Sequence, residues 1–212
     1  MATTPKQRVA LDQYTDLMHE AKLRLECIDT ALAGKTELLP PAIREFCFLQ
    51  LRMLCEVIAL GCLTVHGHSD FGSKTKITKE YQANKIVATL EKLHPHFYPR
   101  SCTQDPNGPK YNTVMDSRGG LTKSDLLRLY KRCGNHLHRG TLKTLFSPAG
   151  PHSHTYFPDI IVWRDKIRTL LWYHAIFLLN KNQMVLFTLK NPEADNRVTW
   201  ALLESENISS LV

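Results

Sequence analysis

The chain has 212 residues, of which 43% are hydrophobic and 22% are charged, and its formal net charge at pH 7 is +7. This length is enough for one compact domain or a domain with an appendage, and the composition excludes a low-complexity or disordered chain. The basic excess is compatible with RNA or another phosphate-bearing ligand, or with an acidic protein partner. The six cysteines form no CxxC pair and no signal peptide opens the sequence, so we expect a reduced, cytoplasmic protein.

Two long helices are predicted in the first third of the chain. In Val9–Ala33 the apolar residues step by three and four, which is a heptad seam, and Gly34 ends the helix. A seam of this kind packs along the next helix, which we favour, or along the same helix of a second copy. Pro40 and Pro41 open the second helix, which is apolar nearly all round and runs to about Val65. It should be the central core helix.

The apolar run Ile43–Val65 is long enough to span a bilayer, but its polar residues argue against a membrane span. They are Arg44, Glu45, Gln50, Arg52 and Glu56. Glu45, Arg52 and Glu56 fall within about 40° on one side of the helix. Two interpretations of this polar strip stay open. Arg52 and Glu56 form an internal ion pair one turn apart, or the strip faces the basic stripe of the Arg132 helix described below and helps to orient it.

The later elements predict a mainly α fold. In chain order they are a third helix over Lys79–Leu93, a loop from His96 to Gly120, a fourth helix over Leu126–Gly140, a fifth over about Asp159–Asn180, and a β-hairpin of Met184–Lys190 and Arg197–Glu204. We therefore expect a helical bundle of about five helices over residues 1–181. The C-terminal β-hairpin, residues 182–212, would be an appendage packed on the bundle or on a second copy.

Histidine is the unusual residue, because eight of the ten occur as His-x-His pairs. The pairs are His66 with His68, His94 with His96, His136 with His138, and His152 with His154. Such pairs can bind zinc, but no cysteine or carboxylate stands beside them at ligand spacing. The sequence also lacks a glycine-rich phosphate loop and a serine-nucleophile motif. We expect no metal and no cofactor.

The fourth helix carries the candidate site. A capping-box-like start, Thr122 with Asp125, precedes it, and Gly140 is a natural stop. Leu126, Leu129, Tyr130, Cys133 and Leu137 form its apolar face. The opposite side carries a basic stripe of Arg128, Arg132, Asn135 and Arg139, flanked by Lys131 and His138 on one edge and by His136 on the other. Such a face can bind an anion and move a proton, or it is a solvated basic face.

An arginine and a histidine separated by a few residues, late in an all-helical chain, resemble the HEPN superfamily (higher eukaryotes and prokaryotes nucleotide-binding). Its motif is Arg, four to six residues, then His; here Arg132, CGNHL and His138 match it. The resemblance covers about residues 8–180. It implies a helical bundle, a homodimer and, as in many members, metal-independent RNA cleavage. Cys133 follows the arginine where the family usually has a polar residue, and the nearest asparagine is Asn135.

The resemblance implies roles for these residues in an endoribonuclease. His138 would act as the base for the 2′-hydroxyl or as the acid for the leaving oxygen, with His136 as second choice, and Arg132 would stabilise the charged transition state. Asn135 would hold a phosphate oxygen or fix the imidazole tautomer. The approach for RNA would come from Arg128, Lys131 and Arg139. The alternative is a catalytically inactive binding or scaffold module for RNA, a nucleotide or a partner protein.

Overall fold

The computed structural model describes residues 3–67, 79–104, 113–115, 119–138, 157–178 and 183–204. In this part of the chain there are five α-helices and five β-strands. The helices are α1 (Pro5–Leu32), α2 (Pro40–Gly67), α3 (Ala83–Leu93), α4 (Lys123–Leu137) and α5 (Pro158–Trp172). The strands are β1 (Arg100–Gln104), β2 (Thr113–Met115), β3 (Tyr173–Phe177), β4 (Gln183–Asn191) and β5 (Arg197–Glu204). The predicted mainly α fold with a C-terminal β-hairpin is confirmed.

Helix α1 begins four residues before the predicted start. The Thr4 hydroxyl accepts the Gln7 N–H at 3.2 Å and the Gln7 side chain accepts the Thr4 N–H at 3.0 Å, which is a capping box. Gly34 follows the helix with a φ of +68°, the left-handed conformation that glycine adopts readily, so the predicted stop is confirmed. The Thr-x-x-Gln spacing was the sequence signal for the earlier start.

The heptad seam of α1 packs on α2, as favoured from the sequence. Tyr14 and Met18 are fully buried at the centre of this contact. The two helices approach closely at Gly61, where an added Cβ would lie 2.8 Å from a ring carbon of Tyr14. Only glycine fits there, because the ring is itself held by further contacts on its other sides.

Helix α2 is the central core helix, and it contacts α1, α3, α4 and α5. Among the described helices it is the one long and apolar enough to cross a membrane, with 61% of the apolar window buried inside the protein. The core helix of a soluble protein has the same properties, so this is weak evidence for a span. The cytoplasmic location stays a prediction.

Three predicted segments need correction. The fifth helix does not reach Asn180, because it ends at Trp172 and Tyr173–Phe177 forms β3. The sequence YHAIF is compatible with the periodicity of a helix and with that of a strand. Its backbone pairing with β4 makes it a strand. The third helix begins at Ala83 rather than Lys79. In addition, the predicted loop from His96 to Gly120 contains β1 and β2.

The five strands form one antiparallel sheet in the order β2-β1-β3-β4-β5. The predicted hairpin is β4 and β5, and it does not stand alone, since β4 also pairs with β3 along its length. Alternate residues of β4 face the helices: Val185 and Phe187 join the main core, whereas Met184 and Leu186 belong to a second apolar cluster on the other face.

A buried histidine joins the sheet to α1. The Nδ1–H of His174 donates to the Leu171 carbonyl at 3.0 Å, so Nε2 accepts from the Tyr14 hydroxyl at 2.7 Å. Phe187 stacks on the imidazole and packs against the Tyr14 ring at a centroid distance of 4.3 Å. Burial lowers the pKa of His174 to about 4, so the imidazole stays neutral.

Gly61→Ala should destabilise the protein by about 1–3 kcal/mol, because the new methyl group would press on the buried Tyr14 ring. Urea unfolding followed by circular dichroism measures the change. The control is Gly134→Ala in α4, where an added Cβ meets its nearest neighbour at an ordinary 3.5 Å and removes a helix-interior glycine. Equal stability of the two variants would contradict the close approach of α1 and α2.

Stability should fall as the pH drops from 6.5 to about 4. Burial lowers the pKa of both His66 and His174 to about 4, so the unfolded chain takes up their protons first and each histidine removes up to about 3 kcal/mol. Urea unfolding at successive pH values measures this slope. His174→Gln should reduce the slope by about half, whereas Gly134→Ala, which changes no titratable group, should leave it unchanged. An unaltered slope in His174→Gln would show that His174 is not buried as a neutral base.

Candidate functional site

The predicted capping box sets the start of α4. The Thr122 hydroxyl accepts the Asp125 N–H at 3.1 Å, and the Asp125 carboxylate accepts the Thr122 N–H at 3.4 Å. The same carboxylate pairs with Lys166 of α5 at 2.9 Å and with Arg128 one turn along. Arg128 therefore serves the local structure as well as the basic stripe, and its guanidinium also lies over the Trp163 ring.

The predicted faces of α4 agree with its burial. The apolar face is buried against the core except for Leu137, which is half-buried. Arg128, Lys131, Arg132, Asn135 and His138 are exposed. Arg139 and Gly140 lie outside the described residues. The exposed side of α4 is thus basic over at least two turns.

Arg132 is held by a carboxylate that the sequence analysis did not single out. Its Nη2 lies 2.7 Å from Oδ2 of Asp159 in the first turn of α5, and Arg44 of α2 binds both oxygens of that carboxylate at 3.1 and 3.0 Å. The Arg44 and Asp159 side chains are 7% and 10% exposed, whereas that of Arg132 is 44% exposed. Two guanidinium groups share one carboxylate, which leaves a net positive charge at the surface.

The pKa of Asp159 reflects this arrangement. Burial alone would raise it, but the hydrogen bonds and charges of Arg44 and Arg132 together outweigh burial and lower it below the ordinary value. The carboxylate is therefore ionised at neutral pH and fixes both arginines. In the sequence, Arg44 is a charge inside an apolar helix, and this is the available signal that an acidic partner exists.

His136 and His138 have different surroundings. The His136 ring is half-buried and stacks on Phe48 of α2 at a centroid distance of 4.0 Å, with Arg44 over the same phenyl ring. His138 is the exposed C-cap residue, whose backbone N–H donates to the Gly134 carbonyl at 3.1 Å. His136, the second choice for a base, is therefore a packed side chain, and His138 is the accessible imidazole.

The structure does not bring Arg132 and His138 to one point in a single chain. By helix geometry the two positions differ by about 120° around α4 and by about 9 Å along it. The Arg132 guanidinium is bound on the side of α5. Position 138 continues the row of Lys131 and Gly134, which lies on the side of α3.

The structure forms the internal ion pair of the polar strip on α2 and does not place the strip against the basic stripe of α4. Arg52 and Glu56 form the internal ion pair at 3.3 Å, and Glu45 is exposed. The strip also contacts α4, but through Tyr130 rather than the basic stripe. The Tyr130 hydroxyl accepts from Arg52 at 3.1 Å and donates to Glu56 at 3.1 Å. Beside this network a groove of about 560 Å³ opens between α2, the start of α3 and α4.

Metal binding and thiol chemistry find little support at this site. Among the residues that the structure describes, no three His, Cys, Asp or Glu side chains are grouped as metal ligands. His66 and His94 are buried neighbours that bond to backbone carbonyls, while His68, His152 and His154 lie outside the described residues. Burial raises the pKa of Cys133 to about 12, which keeps it a neutral thiol. The absence of a metal stays a prediction.

Comparisons with protein-family models, with curated proteins and with solved structures gave no significant match for this chain.

The two arginines bound to Asp159 should differ in their contribution to stability. Arg44→Ala should cost about 3 kcal/mol, because it removes a buried guanidinium and leaves the Asp159 carboxylate with one half-exposed partner. Arg132→Ala should cost less than about 1 kcal/mol, because its side chain is 44% exposed. Urea unfolding at pH 7 compares the two variants. A larger loss for Arg132→Ala would contradict this division.

Proposed function

We propose that this chain binds RNA through the exposed basic side of α4 and does not cleave it. The observation that carries the proposal is the fixed, half-exposed guanidinium of Arg132, which is bound by Asp159 and backed by the buried Arg44. A guanidinium has five N–H donors in one plane, and a side chain held in place loses little entropy when it meets a phosphate. The resemblance of the Arg132–His138 spacing to the HEPN motif agrees with a phosphate-bearing ligand.

The charge around Arg132 supports RNA as the ligand. Lys131 and Arg128 are exposed on the same helix, and the chain as a whole has a net charge of +7. Several cations on the exposed side of one helix gain affinity for a polyanion by releasing the counterions of its backbone. An isolated phosphate would contact one of these cations, whereas successive phosphates of RNA contact several.

Three observations favour binding over cleavage. The Arg132 guanidinium is bound towards α5, about 120° around α4 from the position of His138. His136 is half-buried and its ring is stacked on Phe48. Cys133 occupies the place of the family's polar residue and faces the core. An acid–base catalyst needs its imidazole within hydrogen-bond distance of the reacting proton, next to the charge stabiliser.

The second candidate function is a metal-independent endoribonuclease. One observation favours it: His138 and Arg132 are both exposed near the end of one helix, so a two-fold partner could bring the histidine of one copy to the arginine of the other. The homodimer predicted from the sequence now rests on the family resemblance. The seam of α1 is covered by α2, and the hairpin is paired with β3 within the same chain.

Binding of a labelled single-stranded RNA, measured by fluorescence anisotropy with EDTA present, should weaken as salt rises. Arg132→Ala should weaken binding several-fold and reduce the slope of log K against log salt by about 0.7, the value of one phosphate contact. Lys6→Ala on α1 removes one exposed positive charge elsewhere and should change neither quantity.

The same samples distinguish the two candidate functions. Excess RNA that stays intact after prolonged incubation supports the binding module. Its degradation by substoichiometric protein in EDTA, lost in His138→Ala with binding retained, would establish the endoribonuclease instead. No salt-sensitive RNA binding by the unaltered chain would overturn the proposal.

A further inference from the structure

The groove beside α4 has features of a ligand site that the basic side of α4 does not explain. Arg52 of α2 and Tyr130 of α4 line it, together with Tyr81, Gln82 and Asn84 at the start of α3. Lys131 and Gly134 line it from α4. Its volume of about 560 Å³ falls within the range of small-ligand sites.

We propose that this groove binds an unpaired base of single-stranded RNA, stacked on the Tyr81 ring. The proposal deepens the proposed function and rests on it. Lys131 belongs to both surfaces, since it lines the groove and stands beside Arg132 in the chain. A strand whose phosphates contact the basic side of α4 can therefore place a neighbouring base in the groove.

Tyr81 supplies the aromatic surface. Its side chain is 69% exposed, yet its backbone is held in place. The Glu80 carboxylate accepts the N–H groups of Tyr81 and Gln82 at 3.1 and 3.0 Å, and it also pairs with Lys85 at 3.7 Å. An anchored, solvent-facing ring is the element on which proteins stack bases of single-stranded nucleic acid, because every base has a π-face.

The polar groups of the groove suit a neutral base better than a second phosphate. The Arg52 charge is offset by Glu56 at 3.3 Å. Lys131 is therefore the lining cation that forms no ion pair with a carboxylate of the residues that the structure describes. Gln82 and Asn84 add amides, which offer a donor and an acceptor together. Amide side chains of this kind pair with the edge of adenine, which presents the complementary acceptor and donor.

Gly134 keeps the groove open on the side of α4. An added Cβ at this position would lie 3.5 Å from Nη1 of Arg52, which is an ordinary contact. Alanine is therefore tolerated, whereas a long apolar side chain would project into the space between Arg52 and Lys131. Gly134→Ala and Gly134→Leu therefore differ in how far they fill the groove, and neither changes its charge.

The test uses a single-stranded oligoadenylate carrying one 2-aminopurine, whose fluorescence falls when the base stacks. Tyr81→Ala should weaken binding by about 5- to 100-fold and abolish the fluorescence decrease, since base–aromatic stacking is lost. Tyr81→Phe should retain both, because stacking needs the ring and not the hydroxyl. Trp172→Ala removes another exposed aromatic side chain, 49% exposed and away from the groove, and should change neither.

Gly134→Leu should reproduce the loss seen with Tyr81→Ala, and Gly134→Ala should not. Duplex RNA of the same length should bind Tyr81→Ala as well as the unaltered chain, because its bases are not available for stacking. Circular dichroism of each variant verifies the fold.

The outcomes separate the two proposals. If Arg132→Ala weakens binding of the oligoadenylate but Tyr81→Ala and Gly134→Leu do not, the groove inference is overturned and the proposed function stands. Equal losses on single strands and duplex in Tyr81→Ala would also overturn it. If the unaltered chain shows no salt-sensitive binding to either RNA, the proposed function fails and the groove inference fails with it.

Discussion

The Tyr14 side chain joins the two halves of the fold. Its ring fits against Gly61 of α2 on one side and Phe187 of β4 on another, and its hydroxyl donates to His174 of β3. A buried hydroxyl is costly without a partner, and a buried imidazole is costly if charged. Each group satisfies the other only when His174 is neutral with its proton on Nδ1. The packing of α1 and α2 on the sheet thus depends on the Nδ1–H tautomer of His174 and on the glycine at position 61.

Buried charged groups also need partners, and a second set of such groups lies at the other end of the bundle. Asp159 binds Arg44 and Arg132, and so connects α5 to both α2 and α4. The inner arginine is buried and structural, and the outer one is half-exposed. A buried ion pair contributes little net stability but strongly penalises rearrangement. For the proposed binding surface this would be an advantage, because the exposed guanidinium keeps a fixed position before any ligand arrives.

Local signals in the sequence were sufficient to predict an element where its hydrophobic periodicity or its capping residues were clear. The seam of α1, the apolar helix α2 and the Thr122 capping box of α4 all contain their own evidence, and so does the hairpin. The predicted end of the fifth helix was wrong, because the residues from Tyr173 onwards suit both a helix and a strand. Only their pairing with β4 makes this segment a strand. Contacts between distant residues were not readable in the same way. Arg132 binds Asp159 of α5, and His136 stacks on Phe48 of α2, so both partners come from other helices.

The candidate site shows the same limit. The sequence identified which residues of α4 face outwards, since that follows from helical periodicity alone. It did not show that one edge of this face contacts α5 and that the other edge lines the groove beside α3. Nor did it indicate Tyr81, which lies about 50 residues earlier and lines the groove only because α3 contacts both α2 and α4. An exposed tyrosine has no distinguishing pattern in a sequence until its surroundings are known.

The position of α4 explains how one short helix can serve three purposes. Its apolar face fixes it to α2, one edge is bound to α5 through Arg132 and Asp159, and the other edge forms a wall of the groove through Lys131 and Gly134. Lys131 and Arg132 are adjacent in the chain, so their side chains diverge by about 100° around the axis. A ligand that contacts both must cross the helix rather than run along it. This geometry suits a flexible strand with phosphates and bases on opposite sides, and it separates Arg132 from His138 for the same reason.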